Sequence, residues 1–156
     1  MSEREILFRG KDLQEQNGWL YGYFYKSDIN KRERESGKAT LIFTPDCDTF
    51  IYVPEYHNSW MVKAETVGQY TGLTDKNGTR IFEGDIVKYK IIGLNAFGKM
   101  EKRETKSIVK YNAPCFSPFE TDLYEDYVMP DEAEVIGNIH DNPELLKGEQ
   151  TWQQSK

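Results

Sequence analysis

The tetrapeptide Asp75-Lys76-Asn77-Gly78 constrains this chain more than any other stretch. An Asn-Gly pair accepts positive φ angles at little cost, and between apolar runs it signals a tight hairpin turn. Leu73 precedes it and Arg80-Ile81-Phe82 follow, so the sequence predicts an antiparallel pair closed at this point, with 80–82 as its return arm.

Other short apolar runs repeat the theme. Ile6-Leu7-Phe8 ends at Arg9-Gly10 and reads as a first strand. After Asn17-Gly18, the run Trp19-Leu20-Tyr21-Gly22-Tyr23-Phe24-Tyr25 places Trp19, Tyr21, Tyr23 and Tyr25 on one face, because side chains alternate along a strand. Thr40–Phe43 and Phe50–Val53 flank Pro45-Asp46-Cys47-Asp48 as a further hairpin, and Pro54 closes its second arm. Ile86–Ile92 follows a bend at Glu83-Gly84-Asp85, with Val87, Tyr89 and Ile91 facing one way; Thr105–Tyr111 is its expected partner across a Gly93–Glu104 loop. Periodicity does not decide between strand and helical turn for Leu123–Val128. Glu134–Ile139 reads as a last strand, followed by Asn142 as cap, Pro143 at the first helical position and Leu145-Leu146 packing inward. Many short strands and no long amphipathic helix predict a mainly β fold, a small barrel or roll with a short C-terminal helical turn.

Composition fits this reading. Hydrophobic residues make up 38% and aromatics 13% of the 156 residues, enough for a core, and aromatics favour pleated, half-buried surfaces. A lobe boundary is expected near 55–65, giving an N-terminal β lobe over 1–60, a second β lobe over 61–146 and a flexible tail over 147–156. The charge-rich segment 26–38 reads as a loop. No run reaches the roughly 20 apolar residues of a membrane span, and Met1–Glu5 lacks the apolar stretch of a secretory signal, so a cytoplasmic location is expected. Cys47 and Cys115 match neither a disulfide framework nor a zinc spacing and read as free thiols.

Residues that could carry catalysis are sparse. Cys47 lies between Asp46 and Asp48, whose charges oppose the thiolate a nucleophile needs. The same two carboxylates beside a proline are turn residues rather than ligands for a hard cation, so no metal is assigned. His57 and His140 form no recognisable ligand or nucleophile–base pair. The glycines lack the spacing of a nucleotide-binding loop. No cofactor is expected, and the chain reads as a binding protein rather than an enzyme.

Charge supplies the leading candidate site. The net charge of −6 is unevenly spread: residues 111–150 hold ten acids against one base. Between Ile86 and Lys110 lie Lys88, Lys90, Lys99, Lys102, Arg103, Lys106 and Lys110 against Glu101 and Glu104, with Tyr89, Phe97 and Tyr111 interleaved. Cations for phosphates and aromatics for bases are the ingredients of a nucleic-acid surface. The plainer reading is a solvated hairpin whose lysines guard edge strands against pairing with other chains. A rival function is an oligomeric protein-interaction module, in which the aromatic strand Trp19–Tyr25 or the acidic third meets a partner; unpaired edges and that aromatic face lead us to expect a homo-oligomer.

Three blocks carry a resemblance: Arg4-Glu5-Ile6-Leu7-Phe8-Arg9-Gly10-Lys11, then Thr66–Gly78 through Ile81–Val87, and Val135-Ile136-Gly137-Asn138-Ile139-His140-Asp141-Asn142-Pro143-Glu144-Leu145. Together they resemble the YopX family of phage and prophage proteins. The resemblance implies a phage or prophage origin and an SH3-like barrel in the second lobe, and it brings no catalytic residues. The blocks also hold Gly72, Gly78, Gly84 and Gly137, which a tightly bent sheet needs on its own account. Segments 26–38 and 93–106 lie outside the resemblance.

Overall fold

The computed structural model describes residues 5–27, 48–94, 98–119, 127–128 and 132–146. It is mainly β, with antiparallel strands joined by short 3-10 turns. The chain forms two compact units, Met1–Gly72 and Leu73–Lys156.

In the first unit, β1 (Phe8–Lys11), β2 (Trp19–Lys26), β3 (Thr49–Val53) and β4 (Asn58–Met61) pair as consecutive neighbours, and β5 (Gly68–Thr74) joins the free side of β1. Strand β1 starts two residues later than the apolar run suggests. Alternation sorts β2 as expected: Leu20 is buried on one face, while Tyr21, Tyr23 and Tyr25 are exposed on the other. Leu20 packs with Ile51, Val53 and Val62, and Phe8, Phe24, Trp60 and Val67 close the cluster. Glycine is required at position 22, because a Cβ there would lie 1.9 Å from the Tyr52 carbonyl oxygen. The β1–β2 connection is organised by the buried Asp12 carboxylate, which accepts the backbone N–H groups of Gln14 and Asn17, each at 3.0 Å, and the Asn17 side-chain amide at 2.7 Å. The Thr40–Phe43 arm lies outside the described residues.

The second unit is built on β7 (Asp85–Leu94). Strand β8 (Met100–Ile108) pairs along one side of it; on the other, β12 (Glu134–Asn138) covers its start and β11 (Tyr127–Val128) its end. Strands β9 (Lys110–Asn112) and β10 (Cys115–Ser117) form a separate hairpin, and β6 (Arg80–Phe82) pairs with β5. Val87 and Tyr89 are buried with Ile81, Val109, Phe116 and Ala133, and Ile91 packs against them, as the alternation of β7 predicts.

Two expectations change here. Much of the segment expected as a Gly93–Glu104 loop is strand: β7 runs to Leu94 and β8 begins at Met100, because the ladder continues wherever β7 can supply backbone partners, whatever the side chains. The 75–78 turn is also wider than expected. Asp75 N–H donates to the Thr79 carbonyl (2.8 Å), leaving a three-residue loop in which Gly78 takes a φ of 82°. The buried Asp75 carboxylate stabilises that loop by accepting N–H groups from Asn77 (2.8 Å), Thr79 (2.9 Å) and Val135 (3.1 Å). At the end of β12 the Asn138 side-chain oxygen accepts the N–H groups of His140 and Asp141, and Pro143–Leu146 forms a single 3-10 turn.

Candidate nucleic-acid interface

The register of β7 and β8 decides which of the basic residues act together. Lys88 stands opposite Lys106, Lys90 opposite Glu104 and Ile92 opposite Lys102. Directly opposed residues share a face, so Lys88, Lys90, Lys102 and Lys106 are gathered on one side of the ladder. Arg103, opposite Ile91, takes the other side. Lys99 precedes β8, and Lys110 belongs to β9, opposite Ser117. The seven candidate residues therefore do not form one stripe. Tyr89 lies in the core and has no face to offer a base; Tyr111 is exposed and tilts against Phe116 at 5.1 Å; Phe97 lies outside the described residues.

The lysine face is met by carboxylates. Lys88 Nζ is 2.9 Å from Glu104 Oε1. Glu132 reaches across with both oxygens, 2.8 Å from Lys90 Nζ and 2.9 Å from Lys102 Nζ. Glu134, opposite Lys88 on β12, pairs with Lys76 at 2.5 Å. A cavity of about 290 Å³ is lined by Lys76, Lys88, Tyr89, Lys90, Glu104, Glu132 and Glu134. The direct contacts tune the titrations. Hydrogen bonds from Lys90 and Lys102 hold the Glu132 carboxyl down at about 2. Glu104 raises Lys88 and Glu132 raises Lys90 above the usual lysine value.

Sequence reasoning found the lysines and missed their counter-charges. Glu132 and Glu134 belong to the acidic third of the chain, over 40 residues from Lys88 and Lys90, and nothing in local periodicity pairs them. Only the antiparallel return of β12 along β7 brings them in. Part of the charge asymmetry along the chain is thus neutralised within the second unit.

The remaining candidates are placed as follows. His57 lies in the first unit with φ 49° at the end of a 3-10 turn, and His140 in the second, its N–H on Asn138. Cys47 and Asp46 lie outside the described residues; Asp48 accepts the Thr49 hydroxyl at 2.7 Å. Cys115 is a half-buried thiol on β10. Among the described residues no group of three or more His, Cys, Asp or Glu side chains is placed to hold a metal ion, and no helix is long and apolar enough to cross a membrane.

A second exposed surface lies in the first unit. The solvent face of β2 carries Trp19, Tyr21, Tyr23 and Tyr25, and the register sets Tyr23 beside Tyr52 and Tyr25 beside Phe50. Tyr25 and Phe50 stack with centroids 5.3 Å apart and planes 14° apart. Arg9 and Lys11, opposite Tyr21 and Trp19 on β1, approach the Trp19 ring, at 4.6 Å and 5.5 Å from its centroid.

Known proteins add a family. The chain is similar to the crystal structure of protein EF1440 from Enterococcus faecalis, at 25% identity and a TM-score of 0.44, over 93% of this chain and 100% of that one. No curated protein matches it. The model of the YopX protein family matches residues 7–147, nearly the whole chain, and the protein belongs to the YopX family.

Proposed function

We propose that this YopX-family protein acts by binding rather than by catalysis, and that its ligand is nucleic acid met by the β7–β8 ladder, in the role of an accessory factor of a phage or prophage cycle. The observation that carries the reading is the opposition of Lys88 and Lys106. Like charges directly opposite each other weaken a strand pair, a cost that carboxylates offset at Lys88, Lys90 and Lys102. A polyanion would draw on the same cluster of cations: each phosphate contacted releases a counterion. The ion pair of Lys88 to Glu104 is exposed, hence weak and salt-sensitive, and a phosphate can compete with it.

Titration of fluorescent single- and double-stranded oligonucleotides at low ionic strength tests this. The expected result is retardation that falls steeply with salt, each contact adding about 0.7–0.9 to the log–log slope. Changing Lys99, Lys102, Arg103 and Lys106 to glutamate should abolish duplex retardation with little change in melting temperature, since exposed charges contribute little to folding. Alanine at Cys47, His57 or His140, one at a time, should leave biological activity largely intact; its complete loss in a folded variant would overturn the non-catalytic reading.

The carboxylates around the cavity favour a second reading: an oligomeric protein-interaction module that binds no nucleic acid. With Lys88, Lys90 and Lys102 already paired, the face can be a self-satisfied edge. Absence of retardation at low salt puts this reading first.

A further inference from the structure

We infer that the tyrosine face of the first unit is a stacking platform for the unpaired bases of a single-stranded nucleic acid. Tyr21, Tyr23 and Tyr25 are 45%, 55% and 39% exposed, so three successive rings of one strand remain open to solvent. Strand geometry repeats them every 6.6–6.8 Å or so, an evenly spaced array that matches a ligand made of evenly spaced flat rings. A protein-binding hot spot is organised differently, as a deep anchor surrounded by a rim that excludes water, and these rings have similar exposure with no anchor among them.

Charge supports the same ligand. The register positions that share this face on β1–β4 carry Arg9 and Lys11 and no carboxylate. Arg9 is buried beside Trp19, so Lys11, half-exposed at the Trp19 end, is the cation that a phosphate flanking a stacked base would meet. The array asks for unpaired bases, because in a duplex each base is already stacked on its neighbours and only single strands leave base faces available to aromatic side chains. With one accessible cation on the face, binding there is dominated by stacking. Its salt dependence should be shallow, with a log–log slope no steeper than about 0.7. The proposal shares the ligand class of the reading above, on a different surface and by a different physical term.

The test compares four proteins on a fluorescent oligo(dT) and on a duplex of equal length: the unmodified chain, the triple variant Tyr21→Thr/Tyr23→Thr/Tyr25→Thr, the corresponding triple Phe variant, and the Lys99/Lys102/Arg103/Lys106 charge reversal. Threonine keeps a β-branched side chain with a hydroxyl but removes the ring; phenylalanine keeps the ring. The expected result is a loss of oligo(dT) affinity of at least about 5-fold per ring removed, near-wild-type affinity in the Phe variant, and unchanged duplex binding in both. The charge-reversed protein should retain a weak affinity for oligo(dT) with a shallow salt dependence, and none for duplex. Circular dichroism reports folding, and Tyr23→Thr alone, at the most exposed ring, takes the place of the triple variant if that variant does not fold. Unchanged oligo(dT) affinity in a folded Thr variant overturns the platform while the β7–β8 reading stands. Duplex binding lost in parallel with oligo(dT) also overturns it. Failure of the unmodified chain to bind either oligonucleotide overturns both, and a shift of the folded Thr variant from oligomer to monomer in light scattering then assigns the face to a protein contact.

Discussion

The Glu132 carboxylate sits 2.8 Å from the Lys90 ammonium, so a residue of the acidic third of the chain holds a cation of its basic segment. Glu132 holds Lys102 on its other oxygen, at 2.9 Å. Its carboxyl, held by those hydrogen bonds at about 2, lies below the ordinary 4.5. A carboxyl lowered on folding contributes stability that is present above its unfolded value and lost as the pH falls through the folded one. The contribution of Glu132 should accordingly fade between pH 4.5 and about 2. A carbon-detected NMR titration of this carboxyl should place its midpoint near the lower figure. Glu132→Gln should remove this part of the acid limb. If Lys90 and Lys102 meet phosphates, the variant should also bind duplex more tightly, with a salt slope steeper by up to about 1.8.

Asp75 should be the most costly surface-turn residue to lose in the second unit. Its carboxylate is 6% exposed and accepts three backbone N–H groups, including that of Val135 on the distant β12. Asp75→Ala would leave three part-buried backbone N–H groups without their acceptor, and a loss of about 2 kcal/mol in urea unfolding is expected. Burial raises the carboxyl and the N–H groups of Val135, Thr79 and Asn77 more than offset it, so Asp75 titrates below the usual aspartate value. Its contribution is therefore retained at neutral pH and lost on acidification through that lowered value, a dependence the Ala variant should lack.

Gly22→Ala should be among the worst single changes in the first unit. The new methyl would meet the Tyr52 carbonyl at 1.9 Å, and the obstacle is backbone that cannot rotate away. Loss of about 3 kcal/mol or more is expected, with the β2–β3 pairing weakened first. Hydrogen exchange at Tyr23 and Tyr52 should report it.

Much of the fold was legible because one-dimensional periodicity is enough to specify which face of a strand is buried. Leu20 inward with Tyr21, Tyr23 and Tyr25 outward, Val87, Tyr89 and Ile91 toward one core, and a left-handed glycine at position 78 all follow from local residue type. The second half of β8, Thr105–Ile108, pairs with β7 as expected, whereas its first half was hidden: Met100-Glu101-Lys102-Arg103-Glu104 has no apolar alternation, and its strand character comes from backbone groups of β7. The candidate site was legible as a list of lysines and illegible as a surface. Chain order alone determined that seven cations fall between Ile86 and Lys110 and that the tyrosines of β2 share a face. Tertiary structure decided that Arg103 turns away from Lys102, that Lys88 meets Lys106, and that Glu132 and Glu134 come back to the cavity rim. The physical reason is range: side-chain alternation acts over two residues, whereas charge pairing acts through space between strands whose partners are set by the hydrogen-bond register.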